Sequence, residues 1–304
     1  MGGYVIKTRF APTPSGWLHV GNALSFIITW LYARSSANGT ILLRIDDIDG
    51  ERARDEFIED IFRGIDWLGI DYDTGPRSVE DFFKNHSQHT RLDLYNSHLS
   101  RLITENRLFA CNCSRKRVHE LPGMLYDGHC IPVQTPFETP ETNWRIITPE
   151  GGSKVSFTDV WSMHPPVDLY TDMRYFIVRG KNGRAAYQMA SVADDVLYNI
   201  NFIVRGEDLL QSTAAQCYIA GLLPQLQTFT QSKFLLHPLI MGADGEKLSK
   251  SKGATALVDM RDAGKDAADV FALAASMLNL PKATTAKELL SLFKTSPYNL
   301  TPSP

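Results

Sequence analysis

The chain has 304 residues, 43% hydrophobic and 21% charged, an ordinary globular composition with length enough for one large domain or two modest ones. That balance excludes disordered, collagen-like and low-complexity classes, and the longest uncharged apolar stretch, residues 23–33, is too short to cross a membrane. With 31 basic against 34 acidic residues the net charge is −3, so a nucleic-acid partner has to be read from local features.

Residues 4–10, rich in β-branched and aromatic types, predict a short strand. A loop with two prolines and two glycines follows (Pro12, Pro14, Gly16 and Gly21). Residues 23–36 predict a helix that is apolar on most faces and therefore buried, and Asn38-Gly39 stops it. Residues 40–45 predict a second buried strand. Residues 51–68 carry Phe57, Ile58, Ile61, Phe62, Ile65 and Leu68 at helical spacing. The opening is thus a βαβ unit, and the expected class is α/β, a Rossmann-type doubly wound parallel sheet. Its first loop lies at the carboxyl end of a strand, where such sheets bind ligands.

Residues 86–108 predict another helix. Residues 109–180 differ: seven prolines, short β-type runs and three cysteines predict an inserted β-rich subdomain. The α/β pattern returns over 181–252, and 253–304 reads as a short helical C-terminal segment. The expected division is therefore 1–108, 109–180, 181–252 and 253–304. The N-terminus has no apolar leader run, so a cytoplasmic location is expected, and nothing signals an oligomer, so a monomer is expected.

Cys111, Cys113 and Cys130 fall within 20 residues, a spacing that suggests a metal rather than a disulfide network. Three thiolates and one O or N ligand make a closed tetrahedral zinc site, and Tyr126, His119 and His129 all lie in or beside the interval. Two further constellations suit phosphate. In residues 12–22, Gly16 and Gly21 allow close backbone approach, the next helix aims its N-terminal amides at the same place, and His19 is placed to donate to a phosphate oxygen. In residues 245–253, Lys247, Lys250 and Lys252 between glycines suit a polyphosphate whose charge grows as pyrophosphate leaves.

Together, His19-Val20-Gly21-Asn22 and Lys247-Leu248-Ser249-Lys250-Ser251 resemble the two signatures of class I aminoacyl-tRNA synthetases. Arg9-Phe10-Ala11-Pro12, Arg44-Ile45-Asp46-Asp47, the segment from Tyr187 to Asp195, and Arg205-Gly206-Glu207-Asp208 look like the glutamyl/glutaminyl catalytic domain in order and spacing. The resemblance covers roughly residues 4–255. Few residues follow the lysine loop, so no anticodon-binding domain is expected. The match is then to the stand-alone glutamyl-Q tRNA(Asp) synthetases, which attach glutamate to queuosine at the anticodon wobble position.

That resemblance implies a set of roles. Arg9 and Arg205 would pair with the substrate side-chain carboxylate, Asp46 with its ammonium, and Ala11, Thr13 and Tyr187 would complete the glutamate site. Pro12, Gly16, His19, Gly21, Asn22 and Lys250 would hold ATP with Mg²⁺. His19, Lys247 and Lys250 would stabilise the transition state. Tyr126 would be the fourth zinc ligand beside Cys111, Cys113 and Cys130. The partners implied are L-glutamate and tRNA(Asp), with no membrane. Arg115, Lys116 and Arg117 form the densest basic run before the lysine loop and could contact RNA phosphates. The family usually carries Glu at the position of Asp46, which is one methylene shorter, although glutaminyl enzymes also carry aspartate there. The same activation motifs would serve a ligase with another acceptor: another tRNA, a carrier protein or a small molecule.

Overall fold

A computed structural model describes residues 5–50, 53–239 and 256–298. In chain order the elements are β1 (Lys7–Phe10), α1 (Val20–Ser35), β2 (Thr40–Leu43), α2 (Asp55–Trp67), α3 (Val79–Asp81), α4 (Leu92–Thr104), β3 (Leu108–Cys111), α5 (Arg115–His119), β4 (Asn143–Ile146), β5 (Lys154–Val155), β6 (Thr158–Asp159), β7 (Val167–Asp168), α6 (Leu169–Asp172), β8 (Ile177–Arg179), α7 (Tyr187–Leu197), β9 (Phe202–Gly206), α8 (Leu210–Leu222), β10 (Lys233–His237), α9 (Leu257–Asp262), α10 (Ala268–Met277) and α11 (Ala286–Lys294). The class is α/β, as the opening pattern indicates. The chain packs as two units, Met1–Ser87 with Ile200–Glu207 and Leu235–Pro304, and Gln88–Asn199 with Asp208–Phe234.

In the first unit β1 and β2 pair in parallel, with Arg9 opposite Leu42 and Phe10 opposite Leu43. Asn201 bonds to Lys7 and Val204 accepts from Arg9, so β9 follows β1 in the same direction. α1 is buried almost all round because its sequence is apolar on most faces. Its Phe26 ring lies 4.8 Å from Phe10, and its Tyr32 ring 4.9 Å from Phe202 and 5.0 Å from Phe293. The C-terminal segment thus closes over α1 through α10 and α11. α2 starts at Asp55, where Asp55 and Glu56 suit the positive helix N-terminus, and turns Ile58, Ile61 and Ile65 inward.

The second unit centres on the antiparallel sheet β3-β4-β8. The helix expected over residues 86–108 occupies only Leu92–Thr104. A π-turn (Phe82–His86) and a 3₁₀ segment (Gln88–Arg91) precede it. After it, Asn106 at φ 54° turns the chain so that residues 108–111 pair across to β4. Long-range pairing outweighs the local helical period there. In the same unit, buried Asp194 on α7 accepts from Gln88 Nε2 (3.0 Å), Arg91 Nε and Nη2 (both 2.9 Å) and the Tyr95 hydroxyl (2.8 Å). This cluster ties α4 and the turn before it to α7. Among the described residues no helix is long and apolar enough to cross a membrane.

Candidate active site and metal centre

His19 is the N-cap of α1, and the cap is reciprocal. Its Nδ1 accepts from the Gly21 amide (3.1 Å), while the Asn22 side chain accepts from the His19 amide (3.1 Å). A neutral ring bonded this way carries its proton on Nε2, so the cap selects the tautomer. With His19 in its capped position, a Cβ at residue 21 would stand 2.9 Å from His19 Cε1. Gly21 and Asn22, expected beside the nucleotide, are thus the partners that orient His19.

The loop before α1 is held from two sides. Asp60 on α2 accepts from the Leu18 amide (2.8 Å) and binds Arg261 of α9. The Leu257 amide donates to the Leu18 carbonyl (2.8 Å), and His19 bridges to Ala256. The residues directly after segment 240–255 therefore lie against the His19 loop. Lys247 and Lys250 fall outside the described residues. Asp60 and Arg261 escape sequence reading, yet one signal existed: Asp60 is a carboxylate on the buried stripe of an amphipathic helix, one turn from Gly64.

Arg9, Asp46 and Arg205 stand toward the carboxyl ends of β1, β2 and β9, all in the first unit. Arg9 and Arg205 are each 4% exposed and Asp46 5%. Beyond β2 the chain keeps its alignment with the β1 side: the Arg44 amide bonds to the Phe10 carbonyl and the Asp46 amide to the Pro12 carbonyl, both 2.9 Å. Asp46 therefore sits beside the loop that begins with Ala11, Pro12 and Thr13. Arg9 Nη1 donates to the Val204 carbonyl (3.4 Å), one residue from Arg205. Arg44, which the sequence reading passed over, grips Asp46 through both oxygens (2.6 and 2.9 Å). Ser87 donates to Asp47 (2.6 Å). Tyr187 is the first residue of α7, in the second unit.

The cysteines converge. The sulfurs of Cys111, Cys113 and Cys130 all lie within 4.8 Å of one another and are buried. Cys113 Sγ is 3.5 Å from both Cys130 Sγ and the Tyr126 hydroxyl, and that hydroxyl accepts from the Cys130 amide (2.9 Å). Zinc–sulfur bonds of about 2.3 Å in a tetrahedron set sulfurs roughly 3.8 Å apart, so the cluster fits zinc with little movement. His119 and His129 are exposed and stand outside the cluster, which leaves Tyr126 as the fourth donor at hand. Burial opposes the Cys111 thiolate, but bonds from Tyr126, the Cys113 amide and Arg145 outweigh it and lower the pKa. Burial and the neighbouring sulfurs raise those of Cys113 and Tyr126. The Arg145 guanidinium lies 4.1 Å over the Tyr126 ring and closes the site. Of the basic run, Arg117 is tied to Asp127 (2.7 Å), while Arg115 and Lys116 are exposed on α5.

The profile of the tRNA synthetases class I (E and Q) catalytic domain matches residues 5–291. The glutamyl-Q tRNA(Asp) synthetase of Symbiobacterium thermophilum is 33% identical over 94% of this chain and 91% of its own length. Its namesake from Synechococcus is 37% identical over 95% and 89%. The glutamate–tRNA ligase of an Anaeromyxobacter strain is 35% identical over 85% of this chain and 55% of its own length. The chain thus spans about half the length of the glutamate–tRNA ligases it matches. A crystal structure of a glutamate–tRNA ligase from Elizabethkingia meningosepticum has the same fold, with a TM-score of 0.74 at 19% identity, covering 96% of this chain and 65% of that one.

Proposed function

The chain belongs to the class I tRNA synthetase (E and Q) catalytic-domain family, and on that premise we propose that it activates L-glutamate with ATP and passes it to queuosine in the anticodon of tRNA(Asp). The observation that carries the first half is the placement of Arg9, Asp46 and Arg205 toward the carboxyl ends of three strands, with the capped His19 in the loop after β1. Two buried guanidiniums suit the side-chain carboxylate of glutamate and disfavour the neutral amide of glutamine. Asp46, steadied by Arg44, takes the ammonium. The shorter Asp thus works as a preset acceptor held in a fork.

The substrate α-carboxylate attacks the α-phosphorus of ATP in line, forming glutamyl-adenylate and releasing pyrophosphate. No protein nucleophile is needed, so catalysis is positioning and charge stabilisation. His19 donates from Nε2 to a phosphate oxygen, and Lys247 and Lys250 neutralise the departing pyrophosphate, with Mg²⁺ carried by the nucleotide. A hydroxyl of the acceptor then attacks the activated carbonyl and expels AMP. Zinc would be held by Cys111, Cys113, Cys130 and Tyr126, where it supplies cross-linking of the cysteine loop and no chemistry. A monomer working in the cytoplasm fits this role.

The queuosine acceptor is supported by the two relatives named glutamyl-Q tRNA(Asp) synthetases, each aligned over most of both chains. The test is charging with labelled glutamate of tRNA(Asp) with and without queuosine, and of tRNA(Glu). Incorporation into queuosine-containing tRNA(Asp) alone is expected. Charging of tRNA(Glu), or of a carrier protein instead, would overturn the acceptor and keep the activation chemistry. Glutamine-dependent ATP–pyrophosphate exchange would overturn the pocket.

A further inference from the structure

Within the second unit lies a cleft of about 540 Å³ whose walls include Phe137, Glu138, Glu141, Trp144, Arg179 and Lys181. Its volume is in the range of small-ligand sites. The aromatic wall is fixed: Trp144 Nε1 donates to the Phe137 carbonyl (3.3 Å), and the two rings meet edge-on at 5.2 Å. The Arg179 guanidinium lies 4.2 Å over the Trp144 ring. No carboxylate among the described residues pairs with Arg179, although Glu138 and Glu141 line the same cleft. Burial alone acts on its charge and lowers its pKa. Lys181 is anchored by a bond from Nζ to the Asn112 carbonyl (3.2 Å), in the cysteine loop.

A half-buried cation stacked on an indole, without a counter-charge, awaits an anion or a π-face. A bare phosphate would be repelled by the two glutamates, and an acidic peptide more so. An apolar helix would face four charged side chains. A nucleotide answers every feature: its base stacks on an aromatic or guanidinium plane, its phosphate meets lysine, and carboxylates accept from base N–H groups.

We propose that this cleft receives one unstacked nucleotide of the RNA acceptor, with its base on the Trp144–Arg179 stack and its phosphate at Lys181. The proposal rests on the reading that the acceptor is RNA. It adds a recognition site built from a surface that none of the activation motifs includes.

The experiment measures binding of a fluorescein-labelled tRNA(Asp) anticodon stem-loop to the full chain, beside glutamate-dependent ATP–pyrophosphate exchange. Arg179→Gln and Lys181→Ala are compared with wild type. Each variant is expected to weaken RNA binding by about fivefold to a hundredfold, as loss of a base stack or phosphate contact does, with exchange unchanged. RNA binding equal to wild type in both variants would overturn the cleft and leave the proposed function intact. A wild-type chain that exchanges but binds no RNA would overturn the RNA reading and the cleft with it. If Arg179→Gln loses exchange as well, the stack is structural, and the exposed Lys181→Ala decides: full RNA binding there overturns the proposal.

Discussion

Asp60 and Arg261 are 201 residues apart in sequence, yet the buried carboxylate of one binds the guanidinium of the other while also accepting the Leu18 amide. One side chain thus joins α2, the loop that carries His19, and the helix that follows segment 240–255. Removing the cation leaves an uncompensated buried charge, a loss of about 3–5 kcal/mol. Arg261→Met is expected to lower stability on that scale in urea unfolding. Asp60→Asn with Arg261→Met, which buries no charge, is expected to recover most of the stability and little of the exchange rate. Full recovery of exchange would show that the pair serves stability alone.

Gly21→Ala tests the orientation of His19. The new Cβ would meet the imidazole at 2.9 Å, forcing the ring off its cap. Displacement of a group that touches the transition state costs about 10- to 100-fold, so kcat for glutamate-dependent exchange is expected to fall by that factor with KM for glutamate nearly constant. An unchanged kcat would remove His19 from the reaction.

The thiol cluster predicts one zinc per chain by elemental analysis, lost in Cys113→Ser. Because the cluster crosslinks the loop between β3 and β4, metal loss is expected to lower the melting temperature of the second unit. Glutamate-dependent exchange, assigned to side chains outside the cysteine loop, is expected to persist. A protein purified from zinc-supplied cells without bound metal would refute the assignment.

Asp194 accepts from Gln88, Arg91 and Tyr95 while fully buried. Asp194→Ala strands the Arg91 charge, whose side chain is 10% exposed, and is expected to cost about 3–5 kcal/mol. Asp194→Asn keeps the shape with weaker bonds and is expected to cost less. Equal costs for the two would place the effect in packing rather than charge.

His98 on α4 is buried, and burial lowers its pKa below the ordinary 6.5. The unfolded chain therefore takes up this proton first as pH falls below 6.5, and stability declines through the interval down to the folded-state pKa. His98→Leu is expected to flatten the melting-temperature profile over that interval. A slope unchanged by the substitution would assign acid sensitivity to other groups.

Much of the site was legible in the chain because the signals are local. Phosphate-binding loops need glycine at fixed offsets, a triad of thiols needs close spacing, and a buried βαβ opening needs apolar runs of strand and helix length. The order of those motifs therefore sufficed for the fold class and for the convergence of the three cysteines, and it nominated His19, Arg9, Asp46 and Arg205. Partners across the chain were not legible. Nothing local says that Asp194 collects Gln88, Arg91 and Tyr95, or that Asp60 waits for Arg261. Residues 86–108 carry a helical period throughout, yet the helix ends at Thr104, and Leu108 opens a strand once β4 offers backbone partners. Periodicity and residue chemistry are properties of a short window. Burial, pairing and charge compensation depend on which distant segments the topology brings together, and only the folded chain decides that.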